Sequence, residues 1–271
     1  MTGAAEDTTT AALRVEQSGA VATIVIDNPR RRNALNKDMW QQFAPLLDGL
    51  AADPGVKVVV VRGAGGNFSA GADIGDLKAI LNDPDSGAHD GGHVTAGENA
   101  LANFPKPTIA AIEGYCIGGA WQIAGACDIR IATQTATFGI TPAKVGIVYP
   151  LSGIERLVQI AGPATAKYLL LTGDFITATE AHDLGLLSKV VPENGFRDEI
   201  QDFADRLATR SQLSTQAMKQ IIDAITATDP ALPAISGYWQ HQMAASGEPE
   251  TGIRAFLAKE TPVFSWIKPV E

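Results

Sequence analysis

Continuous apolar runs alternate along this chain with segments whose apolar residues recur at helical spacing, and that alternation predicts its architecture. The run "VATIVIDNP" (21–29) is β-branched and closes on a turn signal, which predicts a strand. In "NKDMWQQFAPLLDGLAAD", Met39, Trp40, Phe43, Leu46, Leu47 and Leu50 share one helical face. "GVKVVVVRGAG" (55–65), "PTIAAIEG" (107–114) and "CDIRIAT" (127–133) are apolar without alternation, the pattern of strands covered on both faces. Strand and helix alternate to about residue 135, which predicts βαβ units around a mainly parallel sheet and an α/β fold class. After residue 150 helical patterns dominate, in "SGIERLVQIAG", "PATAKYLLLTG", "TATEAHDLGLL", "FRDEIQDFADRLATRS" and "LSTQAMKQIIDAI". The closing "ETGIRAFLAKETPVFSW" predicts a helix and then an extended tail. The segment "NDPDSGAHDGGHV" (82–94) predicts a mobile loop beside or above a site. Gly91 and Gly92 argue against a helix through His89 and His93, and so against a metal site on that pair.

Composition narrows the function classes. With 271 residues and 45% apolar content the chain can bury a sizeable core. No apolar run approaches the ~20 residues of a membrane span. The Ala/Thr-rich start lacks the features of a signal peptide and is expected as a frayed tail, so a cytoplasmic protein is the simplest reading. Cys116 and Cys127 offer neither a disulfide framework nor metal-ligand spacing and are expected as small core residues. The net charge of −9 argues against nucleic acid as a partner. Locally, "NPRRRNALN" sets Arg30, Arg31 and Arg32 in a row, which reads either as a solvated turn or as a docking point for phosphates.

The candidate chemistry sits in two glycine-bearing loops that follow buried strands, "GGNFSAGADIGDL" (65–77) and "GYCIGGAWQIAG" (114–125). Each can deliver a backbone N–H to a common point, and two such donors on one oxygen make an oxyanion hole. Small residues let a substrate approach the backbone, and a helix N-terminus favours a developing anion. The plainer alternative is that Gly118 and Gly119 only allow close helix packing.

Taken together, "FSAGADI" and "GYCIGGAWQIAGACDIRIA" resemble the paired motifs of the enoyl-CoA hydratase/isomerase (crotonase) family, in a resemblance running from about Val15 to Phe264. It implies a crotonase-like spiral ββα core over 13–200, a C-terminal helical trimerisation region over 201–271, and a flexible tail over 1–12. It implies an acyl-CoA substrate whose thioester enolate is held by the amides of Ala72 and Gly119, coenzyme A as part of the substrate with no prosthetic group or metal, and a homotrimer or homohexamer. For the CoA nucleotide it nominates Arg32, Ala34, Ala70 and Ile74, with Phe256 and Lys259 from a C-terminal helix serving a neighbouring subunit.

The chain departs from the hydratases at both of their glutamates, which match Gln122 and Pro142 here. Neither residue can act as general acid or base. The segment "TFGITPAKVGIVYPLSGI" resembles the methylmalonyl-CoA decarboxylases of the same family, which assigns Thr141 and Tyr149 to the acyl end and expects the Tyr149 hydroxyl on the ligand. The plainer readings are a cap before Pro142 for Thr141 and a core tyrosine with a satisfied hydroxyl for Tyr149. Three functions follow: an enolate-stabilising CoA-ester enzyme, including a decarboxylase of malonyl-type esters; a thioesterase or isomerase using another acid, such as Glu98, Asp73 or a loop histidine; and a non-catalytic CoA-ester binding protein.

Overall fold

The computed structural model describes residues 11–82 and 90–268. The tail expected over 1–12 lies outside these residues except for its last two positions, and Ala12 already opens a strand. His89 also lies outside them.

The main sheet holds β1 (Ala12–Ser18), β2 (Val21–Asp27), β3 (Val58–Gly63), β4 (Thr108–Ile112), β6 (Ile129–Thr133) and β9 (Lys189–Val191), in the order β1-β2-β3-β4-β6-β9. Only the β1–β2 pair is antiparallel. A second sheet joins the short strands β5 (Tyr115–Ile117), β7 (Thr137–Gly139) and β8 (Phe175–Thr177). The unalternating apolar runs are explained by cover on both faces. Ile24, Ile26, Val59 and Val61 enter the core built with α1 (Lys37–Ala52), α3 (Gly92–Ala102) and α4 (Gly119–Ala126). Val58, Val60, Ile109 and Ile131 point the other way, onto Phe196, Ile200 and Ala204 of α7 (Phe196–Ala208). The period of two along each strand sorts neighbouring valines to opposite sides.

The helix expected at Met39–Leu50 is α1, opened by Asn36, whose side chain accepts the Met39 N–H at 2.9 Å. A short α2 (Leu77–Leu81) precedes the segment read from sequence as a loop over 82–94. That reading needs correction at its end, because α3 begins at Gly92 and includes His93. The two glycines start this helix rather than prevent it. Gly91 (φ 73°) and Gly92 (φ 52°) are left-handed, and a Cβ on Gly92 would stand 2.3 Å from the Ile80 carbonyl oxygen. His93 is buried and hydrogen-bonds Gln41 at 3.2 Å.

The C-terminal part is helical. α5 (Leu151–Thr172) is broken at Gly162, whose φ/ψ of 76°/165° separates the two helical patterns seen in the sequence. Then follow α6 (Ala178–Asp183), α7, α8 (Gln212–Thr226), α9 (Leu232–Ser246) and α10 (Glu248–Ala258). α9 was not apparent from its sequence, since Trp239 alone among its residues is buried. The tail after α10 is extended, as expected, and buried Glu248 accepts the N–H groups of Ser265 (3.0 Å) and Trp266 (2.9 Å). Among the described residues no helix is long and apolar enough to cross a membrane.

Candidate active site

The two glycine loops meet above the sheet and are bound together by backbone. Ser69 bridges to Cys116, and Leu35 bridges to Ala72. In the second bridge the Leu35 N–H donates to the Gly71 carbonyl (2.8 Å) and the Asp73 N–H donates to the Leu35 carbonyl (2.7 Å). This register turns the N–H of Ala72, which lies between those two residues, away from Leu35. Two polar side chains hold the arrangement. Wholly buried Asn33 donates to the Ala64 and Asn67 carbonyls at 2.7 and 2.6 Å. Buried Ser69 donates its hydroxyl to the Asn33 carbonyl (2.7 Å) and accepts the Gly71 N–H (3.0 Å).

Across from Ala72 stands the start of α4. Gly119 is its first residue, so its N–H has no carbonyl four residues back to bond. The amides of Ala72 and Gly119 come close because no side chain separates them. A Cβ on Gly119 would stand 3.3 Å from the Ala72 nitrogen, and one on Gly71 would stand 3.0 Å from the Gly119 nitrogen and 2.5 Å from the Ile117 carbonyl oxygen. Gly71, with φ 92°, is thus as constrained as Gly119, though the sequence motif drew attention only to its neighbours Ala70 and Ala72.

Tyr149 is buried, and its hydroxyl donates to the Gly118 carbonyl at 3.0 Å. This matches the plainer reading of a core tyrosine with a satisfied hydroxyl. The Gly118 carbonyl and the Gly119 N–H belong to one planar peptide and point in opposite directions. The tyrosine therefore fixes which way the Gly119 N–H faces. Burial, with the Glu98 carboxylate and Cys116 adding to it, pushes this phenol well above its ordinary range, so it keeps its proton. Thr141 occupies the N-cap position before Pro142, yet its side chain makes no capping bond. Its Oγ1 lies 3.9 Å from where a Cβ on Gly118 would be.

One turn into α4, Gln122 is 2% exposed and does not stand alone. Its Nε2 donates to Oε2 of Glu98 at 2.8 Å. Glu98, on α3, is wholly buried; the same oxygen accepts the Ser152 hydroxyl (2.7 Å) and the other accepts Arg156 Nε (2.9 Å). In the sequence Glu98 stands out only as an alternative acid, and no local pattern points to its partners on α5. A carboxylate is therefore present directly beside Gln122. Asp73 is committed elsewhere: it pairs with Arg31 and accepts the Gly75 N–H at 2.9 Å.

The nominated CoA residues cluster in part. The Ala70 N–H donates to the Arg32 carbonyl at 2.9 Å, and Asn28 Nδ2 donates to the Ala34 carbonyl at 2.8 Å. Arg32 has a left-handed backbone (φ 50°) and lays its guanidinium over the Tyr115 ring, 4.8 Å from the centroid. Ile74 is 79% exposed next to them. Phe256 and Lys259 belong to α10 and its C-cap, and Phe256 is 82% exposed. Among the described residues no hydrogen bond or ion pair joins those two to the Arg32–Ala70 turn.

Comparison with known proteins places this geometry. The family model for enoyl-CoA hydratase/isomerase matches residues 16–266. The chain is 33% identical over 264 residues to the 2,3-dehydroadipyl-CoA hydratase of Escherichia coli (strain K12), covering 93% of this chain and 98% of that one. It is 30% identical over 266 residues to the peroxisomal Delta(3,5)-Delta(2,4)-dienoyl-CoA isomerase of Arabidopsis thaliana, covering 93% and 95%. A crystal structure of an enoyl-CoA hydratase/isomerase family member superposes with a TM-score of 0.91 at 41% identity, covering 96% of this chain and all of that one. The enoyl-CoA hydratase of Bacillus anthracis superposes at 0.84 with 26% identity, covering 93% and 98%. The chain, with its crotonase fold and its two glycine loops, belongs to the enoyl-CoA hydratase/isomerase family.

Proposed function

We propose that this acyl-CoA-processing enzyme stabilises a thioester enolate between the N–H groups of Ala72 and Gly119. The observation that carries the reading is their juxtaposition across Gly71, with one amide turned out of a β-bridge and the other at the head of a helix. Donors fixed by backbone need no reorganisation as negative charge builds on the oxygen, and one such donor contributes about 3 kcal/mol. Tyr149 supports the hole indirectly, through the carbonyl of the Gly118–Gly119 peptide.

The acyl end favours a neutral substrate over a malonyl-type one. A substrate carboxylate would need donors, and the Tyr149 proton is already given to Gly118. Glu98 lies one hydrogen bond behind Gln122 with its charge balanced by Arg156, and as an acceptor it offers a substrate carboxylate no donor. Proton transfer in a hydration or isomerisation needs a titratable group that positions 122 and 142 do not supply; Glu98 is the carboxylate bonded to Gln122. The CoA moiety is assigned to Arg32, Ala34, Ala70 and Ile74, with the arginine turn meeting its phosphates. Phe256 and Lys259 are assigned to the CoA of a neighbouring copy in a homotrimer or homohexamer. The 55–60% exposed Met218, Ile222 and Ile225 on α8 support self-assembly of that kind.

Incubation with crotonyl-CoA, methylmalonyl-CoA and a set of saturated and unsaturated acyl-CoAs, followed by mass spectrometry, tests this reading. Turnover of a neutral acyl-CoA is expected. Conversion of methylmalonyl-CoA alone would favour the decarboxylase, and binding without any conversion would favour a non-catalytic CoA-ester protein.

A further inference from the structure

The arginines that stand in a row in the sequence are not equivalent in the fold. Arg32 lays its guanidinium on the Tyr115 ring. Arg31 reaches instead to a carboxylate 42 residues further along the chain, that of Asp73. Asp73 directly follows Ala72, and it is buried. Its two oxygens have separate partners: Oδ1 accepts the Gly75 N–H at 2.9 Å, and Oδ2 takes the Arg31 guanidinium. Its N–H donates to the Leu35 carbonyl at 2.7 Å, and Asp76 accepts the Lys37 N–H at 3.3 Å. Arg31, Leu35 and Lys37 thus each fasten a different group of the segment that leads away from Ala72.

The charge pattern of that segment poses a problem that this fastening answers. A hole that receives an enolate gains from positive potential around it. Yet "ADIGD" sets carboxylates at 73 and 76, just past one of the two donors, and no basic residue follows before Lys78. Adjacent residues are only about 3.8 Å apart at their Cα atoms. A buried carboxylate so placed is poorly screened and opposes an anion at the hole unless a cation cancels it. Arg31 is the cation paired with Asp73. Its guanidinium is largely exposed, so the pair adds little to stability. What matters is where the charge is cancelled.

We infer that Arg31 is a positioning residue for the oxyanion hole rather than a phosphate ligand. By pairing with Asp73 it holds the segment that follows the Ala72 N–H and neutralises the carboxylate beside the developing anion. The inference rests on the reading of Ala72 and Gly119 as the hole, and it brings into that hole's support a side chain from outside both glycine loops. It also divides the arginine turn, with Arg32 serving the CoA moiety and Arg31 the thioester oxygen. Its signature is a rescue. Removing Arg31 alone strands a buried charge, whereas removing Arg31 and Asp73 together strands none.

Infrared difference spectra of bound butyryl-CoA, labelled with carbon-13 at the thioester carbon, test this without requiring turnover, because donors on the oxygen lower the C=O stretch. The wild type is expected to lower it relative to free butyryl-CoA. Arg31→Gln should lose more than half of that shift while calorimetric affinity for CoA stays within twofold. Arg31→Lys, which keeps the charge, should retain most of the shift, as should the double variant Arg31→Gln/Asp73→Asn. A shift in Arg31→Gln equal to that of the wild type would overturn the inference. So would a loss in Arg31→Gln that Asp73→Asn does not restore, and so would a tenfold loss of CoA affinity with the shift intact. If Arg31→Gln does not fold, the double variant decides: a shift less than half that of the wild type overturns the inference. Gly119→Val, measured alongside, separates the two levels of the argument. If it keeps the full shift, or the wild type shows none, the hole reading itself fails and the inference falls with it.

Discussion

The two ends of the candidate site are made of different material. Around Ala72 and Gly119 the groups proposed to work are backbone, positioned by a β-bridge, a helix start and glycines at 71, 118 and 119. Around Gln122 they are side chains from α3, α4 and α5 converging on one buried carboxylate. The first end should tolerate almost no added atoms. The second should tolerate changes of shape better than changes of polarity.

The largest effect expected from this contrast is at Gly119. A valine there would press on the Trp40 ring and on the Ala72 nitrogen, each within 3.3 Å of its Cβ. Gly119→Val should lose about 3–4 kcal/mol of transition-state stabilisation, a drop of more than a hundredfold in kcat, with circular dichroism unchanged. Turnover within threefold of wild type would remove the Gly119 amide from the site.

Next comes the side-chain end. Glu98→Leu leaves the Arg156 guanidinium and two neutral donors facing an apolar group. Because Arg156 retains 25% exposure, the loss should be about 2–3 kcal/mol, below the range for a fully buried pair, and thermal or urea unfolding would measure it. Unchanged stability would mean that the network is not formed in solution.

The two ends were not equally legible in the sequence. The strands and α1 followed from local periodicity, and the two glycine loops stood out because close backbone approaches betray themselves as glycines in a short stretch of chain. The Glu98 network could not be read that way. Its partners lie 24 to 58 residues away along the chain, and a lone glutamate between a loop and "NALANF" has no local signature. The start of α3 is hidden for a related reason, since Gly91 and Gly92 read as helix breakers, whereas Gly92 sits where any side chain would meet the Ile80 carbonyl. α9 lacked the buried stripe that identifies an amphipathic helix.

Smaller effects separate binding from chemistry. Arg32→Ala should weaken CoA-ester binding by about 1–2 kcal/mol, an effect that shrinks with added salt, while kcat holds. Equal affinity at low salt would return the arginine turn to a solvated surface. Tyr149→Phe removes one hydrogen bond from the Gly118 carbonyl and should cost about 1 kcal/mol, a five- to tenfold drop in kcat with KM little changed. A rise in KM alone would instead place the hydroxyl on the ligand. At the bottom of the scale, burial pushes Cys116 far up and Cys127 up to about 12, so neither thiol should react with a disulfide reagent at pH 8 unless the protein unfolds.

The most direct test is a crystal structure with an unreactive acyl-CoA bound. The thioester oxygen is expected within about 2.7–3.2 Å of both the Ala72 and Gly119 nitrogens, the range of a true N–H···O bond. A thioester oxygen beyond about 4 Å from either nitrogen, with the CoA in place, would contradict the assignment of the two amides.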